Sequence, residues 1–184
     1  MFSLAANPPM TWPATEPLSQ SPQAWTVAYC KPRQEKALGW DLCRRDVSYF
    51  LPMVMRQTSS GGRRRRNLYP LFPSYLFIAG DESDRMSALR TDRIVKLIEV
   101  SETEQTRLRR EISHLETAIR NQPESLELYP RLVPGTWVRI KAGPMKDVEG
   151  VVVEAHNKKK LLLGVSVLGV GATVEIHADL VESN

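Results

Sequence analysis

The stretch 134-PGTWVRIKAGPMKDVEGVVV-153 decides the fold of the carboxy-terminal part of this chain. Val138 and Ile140 alternate with Trp137, Arg139 and Lys141, the period-two pattern of a strand with one buried face. Gly143-Pro144 ends that strand with a turn dipeptide. Gly150 opens a second strand, Val151 to Val153, at a point where the missing Cβ lets the backbone bend sharply or pass close to a neighbour. Further strand-type runs follow at Leu161 to Leu168, Thr173 to Ile176 and Leu180-Val181, set apart by Asn157-Lys158-Lys159-Lys160 and Gly169-Val170-Gly171. About five short strands in roughly 50 residues predict a small all-β barrel.

Upstream, Pro70-Leu71-Phe72-Pro73-Ser74-Tyr75-Leu76-Phe77-Ile78 is dense in aromatic and β-branched residues and predicts a largely buried strand, entered through two prolines. Leu76 and Ile78 fall on one side of the pleat, Tyr75 and Phe77 on the other. Both faces are therefore apolar, and one of them either packs on helices or offers a docking surface. Around this stretch the pattern predicts a strand over Trp25 to Cys30 and a helix from about Gln34 to Arg45, with Leu38 and Leu42 on one face. Strands over Tyr49 to Met55 and Ile94 to Val100 and a short helix over Ser83 to Arg90 complete an α+β layer domain.

Two motifs carry a resemblance. G-x-x-V-R-I-x-x-G-P-x-x-x-x-E-G-x-V, anchored here by Gly135, Arg139, Gly143, Pro144 and Gly150, resembles the KOW motif of NusG-type transcription factors and of several ribosomal proteins. P-L-F-P-x-Y-L-F, at Pro70 to Phe77, resembles the signature of the NusG amino-terminal (NGN) domain. That signature has Gly or Asn where this chain has Ser74, in a turn that calls for positive φ. The two motifs stand in the family's order, and the resemblance covers about Trp25 to Glu182. It is strongest to the specialised paralogues of RfaH or UpxY type, through W-T-V-A-Y-C-K and P-L-F-P-x-Y-L-F.

The resemblance implies an α+β NGN domain, an antiparallel sheet with flanking helices, linked to a small all-β SH3-like KOW barrel. It implies docking on the clamp region of RNA polymerase through Tyr29, Phe72, Tyr75 and Phe77. It implies contact with the exposed non-template DNA through Lys31, Arg33 and Lys36 at the start of the first helix, and a KOW partner such as a small-subunit ribosomal protein or Rho. The family often shows Thr-Arg-Gly-Val before the last strand of the first domain, whereas this chain has Thr91-Asp92-Arg93-Ile94, moving the base to Arg93.

Charge agrees with a polyanion partner. The net charge is +4, but 14 basic against eight acidic residues lie between Ala24 and Val100, which places the excess in the first domain. Arg63-Arg64-Arg65-Arg66, after Gly61-Gly62, reads as a basic loop between strands. It is either a solvated hairpin tip or a flexible finger for nucleic-acid phosphates or an acidic polymerase surface. The basic turn of His156, Lys158, Lys159 and Lys160 equally suits a solubilised strand edge or an RNA contact.

Cys30 and Cys43 read as packed thiols in a reducing cytoplasm; no clustered His or Cys suggests a metal, and no cofactor is expected. His114 and His177 stand alone, without a nucleophile or carboxylate, so no enzyme is indicated. No apolar run is long enough to span a membrane, and Met1 to Gln23, with five prolines and no Lys or Arg, reads as a disordered extension rather than a signal peptide.

Ser101-Glu102-Thr103-Glu104 has the form of a capping box, and Leu108, Ile112, Leu115 and Ile119 make one apolar stripe on the helix that follows. The expected organisation is an extension over 1–23, an NGN domain over 24–120 that includes this helix, a linker over 121–131 and a KOW domain over 132–184, in a monomer. The function this implies is an elongation factor that suppresses pausing and termination, serving a particular long operon. The alternatives are a general NusG that assists Rho-dependent termination and couples transcription to translation, and a ribosome-associated KOW protein that binds RNA.

Overall fold

The computed structural model describes residues 7–14, 17–60, 63–131, 133–155, 158–177 and 180–183. Two compact units divide between Thr106 and Arg107. In the first, strands β1 (Thr11–Trp12), β2 (Trp25–Cys30), β3 (Ser48–Phe50), β6 (Tyr75–Ala79) and β7 (Ile94–Ile98) form an antiparallel sheet in the order β1-β3-β6-β2-β7. Strands β4 (Met53–Ser60) and β5 (Arg63–Pro70) form a separate two-stranded ribbon. Helix α1 (Glu35–Arg44) follows β2, and α2 (Glu82–Leu89) follows β6, its start closed by a reciprocal capping box between Asp81 and Asp84.

The two-sided pattern of the Tyr75–Ile78 run is realised. Leu76 and Ile78 join Ala28, Cys30 and Tyr49 in a core with Leu38 and Leu42 of α1. On the opposite face the register sets Tyr29 against Tyr75, and Val27 and Phe50 against Phe77. Burial raises the Cys30 thiol to about 12 and also raises Cys43, so both are inert packing groups.

The described residues of the amino-terminal segment, 7–14 and 17–23, depart from the expected disorder. β1 pairs with β3, Tyr49 donates its hydroxyl to the Pro9 carbonyl at 2.9 Å, and Trp12 Nε1 donates to Asp46 at 3.0 Å. The prolines confine the segment to extended backbone, which costs little to add to a sheet edge.

The second unit holds strands β8 (Glu127–Tyr129), β9 (Trp137–Ile140), β10 (Glu149–Ala155), β11 (Lys158–Val165), β12 (Val170–Glu175) and β13 (Val181–Ser183), all antiparallel in the order β13-β9-β10-β11-β12-β8. The expected all-β unit is thus present, with one more strand than the sequence suggested. That strand, β8, lies inside the expected linker: Leu126 beside it is buried, and Glu127 pairs with Lys160 at 2.8 Å.

Helix α3 spans Glu102–Asn121, and Leu108, Ile112, Leu115 and Ile119 are all buried. At its start Ser101 donates its hydroxyl to the Glu104 carboxylate at 2.8 Å. The division after Thr106 counts most of α3 with the β unit, unlike the expected boundary at 120. Polar side chains of α3 bond to the β unit. Glu111 accepts from the Ser166 backbone at 3.0 Å and from its hydroxyl at 2.5 Å, and Asn121 donates to the Pro144 carbonyl at 3.3 Å.

Candidate functional site

The signature segment is built around a turn. Ser74 has φ of 67°, the left-handed backbone in which the family favours Gly or Asn. The turn is held on both sides: its carbonyl accepts from the Cys30 N–H at 2.8 Å, and its N–H donates to Glu35 Oε1 at 2.7 Å. Glu35 is 7% exposed, so this carboxylate has left water to fasten α1 to the turn. Nothing in a run of basic residues marked it out. Glu35→Ala would strand the Ser74 N–H. A loss of about 2 kcal/mol in chemical denaturation is expected, largely restored by Glu35→Gln, which keeps an acceptor oxygen.

The four aromatics expected to dock on the polymerase clamp are divided by this geometry. Phe72 is 1% exposed, and Phe77 is fully buried and stacked on Phe50 at 6.0 Å between centroids. Tyr29 and Tyr75 are half-buried and paired at 5.2 Å, tilted by 45°. Of these four rings, those left partly exposed are therefore the tyrosine pair. Period-two alternation cannot separate these roles, because it assigns a face and says nothing of how far each ring is covered.

The basic residues also divide. Lys31 is exposed and pairs with Asp92 at 3.2 Å. Arg93 is tied to Asp41 and Gln34, which joins the entry to β7 to α1 and its N-cap. Lys36 donates to the Leu68 carbonyl at 2.5 Å and lies 5.7 Å from the Tyr69 ring centroid, and burial lowers its pKa against the pull of Glu35. These contacts make Arg93 and Lys36 structural. Arg33, with φ of 62°, is exposed beside them.

Arg63 to Arg66 form no loop. They lie in β5, each opposite a residue of β4, and Arg64 and Arg66 are exposed. A run of like charges hid the strand alternation in the sequence, and the pairing with Gln57 to Ser60 reveals it.

In the β unit the motif residues are architectural. Arg139 lies opposite Glu149 and binds its Oε1 through both Nε and a terminal nitrogen at 3.0 Å. Gly143, with φ of 87°, makes the turn before Pro144, and a Cβ on Gly135 would meet Val151. Gly150 passes so close to β11 that a Cβ there would lie 2.6 Å from the Leu162 carbonyl oxygen.

Of the basic turn, Lys160 is buried in its pair with Glu127, while His156 lies outside the described residues. A cavity of about 260 Å³ opens between α3 and the sheet, lined by Arg107, Arg110, His114, Trp137, Val151 and Leu162. His114 accepts a long hydrogen bond from the Glu149 N–H at 3.4 Å, and burial lowers its pKa while the Glu149 carboxylate opposes the shift.

Residues 23–116 match the family model described as "Transcription termination factor nusG". The transcription termination/antitermination protein NusG of Buchnera aphidicola subsp. Acyrthosiphon pisum (strain APS) is 30% identical over 146 residues, covering 67% of this chain and 71% of that protein. A solved structure described as "Domain interaction in Thermotoga maritima NusG" aligns with 89% of this chain and 98% of its own, at 15% identity and a TM-score of 0.44.

Proposed function

The chain belongs to the NusG family, and from that membership we propose that it is a transcription elongation factor that rides on RNA polymerase and suppresses pausing and termination, in the service of a particular long operon. The observation that carries the reading is the half-buried tyrosine pair, Tyr29 and Tyr75, on the sheet of the unit that matches the family. Paired aromatics with an apolar floor and a polar hydroxyl suit a protein interface, where they supply area at low entropic cost.

In this reading the tyrosine pair docks on the polymerase clamp while Arg33, Lys31 and the β4–β5 ribbon meet nucleic acid. Docking favours the active enzyme over the paused one by the difference in its affinity for the two states, with no chemical step. The β unit is left to hold a second partner, a small-subunit ribosomal protein or Rho.

Transcription in vitro through a Rho-dependent terminator tests the sign of the effect. Added protein should increase read-through and shorten pauses. Increased termination at the same site would replace this reading with that of a factor assisting Rho.

A further inference from the structure

The cavity of about 260 Å³ between α3 and the sheet, which lies wholly in the second unit, has no part in polymerase docking through the tyrosine pair. It exceeds the roughly 150 Å³ that holds one benzene ring, and its wall changes character from floor to rim. Val151 and Leu162 are buried and make an apolar floor. Trp137, 54% exposed, stands at the rim with Arg107 and Arg110, which are exposed and lie three residues apart on one face of α3. An indole left half in water at the edge of a cavity offers its flat face to a second ring.

Two polar groups of the wall have complementary roles. His114 Nδ1 accepts from the Glu149 N–H, so in the neutral ring the proton sits on Nε2, which is a donor. Burial lowers the pKa of this ring and keeps it neutral near neutral pH. Glu149 supplies an acceptor: its Oε1 is bonded to Arg139 at 3.0 Å, whereas its Oε2 meets Arg110 at 3.8 Å, longer than a hydrogen bond. The other carboxylate of the wall, Glu111, is occupied, both of its oxygens accepting from Ser166.

This combination selects among guests. A purely apolar molecule would leave the His114 donor and the Glu149 acceptor unpaired once water is displaced, which weakens binding. A simple anion would engage the guanidiniums and leave the indole and the apolar floor in water. A nucleobase brings a flat face for Trp137 and an edge of donors and acceptors for His114 and Glu149. A phosphate attached through its sugar reaches the rim, where the guanidinium fork is suited to phosphate oxygens. Arg107 and Arg110 hold Glu111 and Glu149 loosely, at 3.9 Å and 3.8 Å, and have further N–H donors to give.

We propose that this cavity binds a free nucleoside monophosphate, with its base stacked on Trp137 and its phosphate held by Arg107 and Arg110. One bound nucleotide then bridges α3 and the sheet, and its affinity adds to the stability of the second unit.

The test is calorimetric titration of the full chain with AMP and with GMP, beside adenosine and guanosine, which lack the phosphate, and ribose 5-phosphate, which lacks the base. At least one nucleotide should bind and change tryptophan fluorescence, since Trp137 is the one exposed tryptophan among the described residues. Its nucleoside and ribose 5-phosphate should each bind about tenfold more weakly, or worse. R110Q should weaken the nucleotide about tenfold and leave the nucleoside unchanged. W137A should weaken nucleotide and nucleoside alike, by about fivefold or more, and W137F should restore most of the loss.

If neither nucleotide binds, or if R110Q and W137A both leave binding unchanged, the site is wrong. Ribose 5-phosphate binding as tightly as the nucleotides would reduce it to a patch for anions and overturn the proposal. A short single-stranded RNA, titrated alongside, covers the remaining source of the same chemistry: RNA that binds through Trp137 and Arg110 where the nucleotides do not would assign the cavity to a strand and overturn the free-nucleotide reading. Unchanged thermal melts of R110Q and W137F, both at exposed positions, confirm that the variants remain folded.

Discussion

Alanine at both Tyr29 and Tyr75 is expected to weaken binding to RNA polymerase by about 30-fold or more while leaving the protein folded. A central interface hot spot costs about 2 kcal/mol or more on truncation, the paired rings counting here as one, and tenfold in affinity is about 1.4 kcal/mol. The two rings are half-buried, so their loss from the free protein removes one aromatic pair, worth about 0.5–1.5 kcal/mol, with some apolar area. Affinity and stability should therefore separate. Phe72→Ala and Phe77→Ala would not separate them: both rings are buried, and each substitution should cost about 3–5 kcal/mol of folding stability. Any loss of polymerase binding in those variants would follow the loss of folded protein. Titration of labelled polymerase, with a thermal melt of each variant, checks both halves.

The second large effect is expected at Gly150. Its Cα packs on β11 so closely that the Cβ of an alanine would stand 2.6 Å from the Leu162 carbonyl oxygen and 2.9 Å from Leu161 Cγ. Leu161 and Leu162 are themselves buried, so the strand cannot yield without disturbing the centre of the β unit. Gly150→Ala should cost about 2–3 kcal/mol, lowering the melting temperature of this unit by on the order of 10 °C. Gly143→Ala is the control from the same motif. Among the described residues no atom beyond its chain neighbours lies within 4 Å of the place its Cβ would take, so its penalty comes from φ of 87°, about 1 kcal/mol. Circular dichroism melts of the two variants rank them, and equal losses would remove the close-approach explanation.

Much of the architecture was legible because it follows from local rules. Leu38 and Leu42 pack as their helical spacing requires, and Leu76 and Ile78 face the core beneath α1 while Tyr75 and Phe77 lie on the opposite face of the sheet. Ser74 adopts the positive φ that its place in the signature demands. What escaped depends on partners distant in sequence. Glu35 is one acid in a basic run until the fold brings the Ser74 N–H to it. Glu127–Tyr129 is a strand because β12 offers it an edge, and Thr11–Trp12 because β3 does. Arg93 and Lys36 carry the right charge for DNA, yet Asp41, Gln34 and the Leu68 carbonyl engage them within the fold. Sequence thus indicated which residue types gather in this region, and the ladder and ion pairs show which of them are engaged within the fold.

The central claim is that Tyr29 and Tyr75 form the surface that meets the polymerase. A photoreactive benzophenone side chain placed at position 75 of the full protein, irradiated in a reconstituted elongation complex, tests this most directly. The account predicts a covalent adduct to the polymerase clamp that disappears when the unlabelled protein is added in excess. Crosslinks formed solely within the protein's own chain, under conditions where it remains bound to the complex, would contradict it.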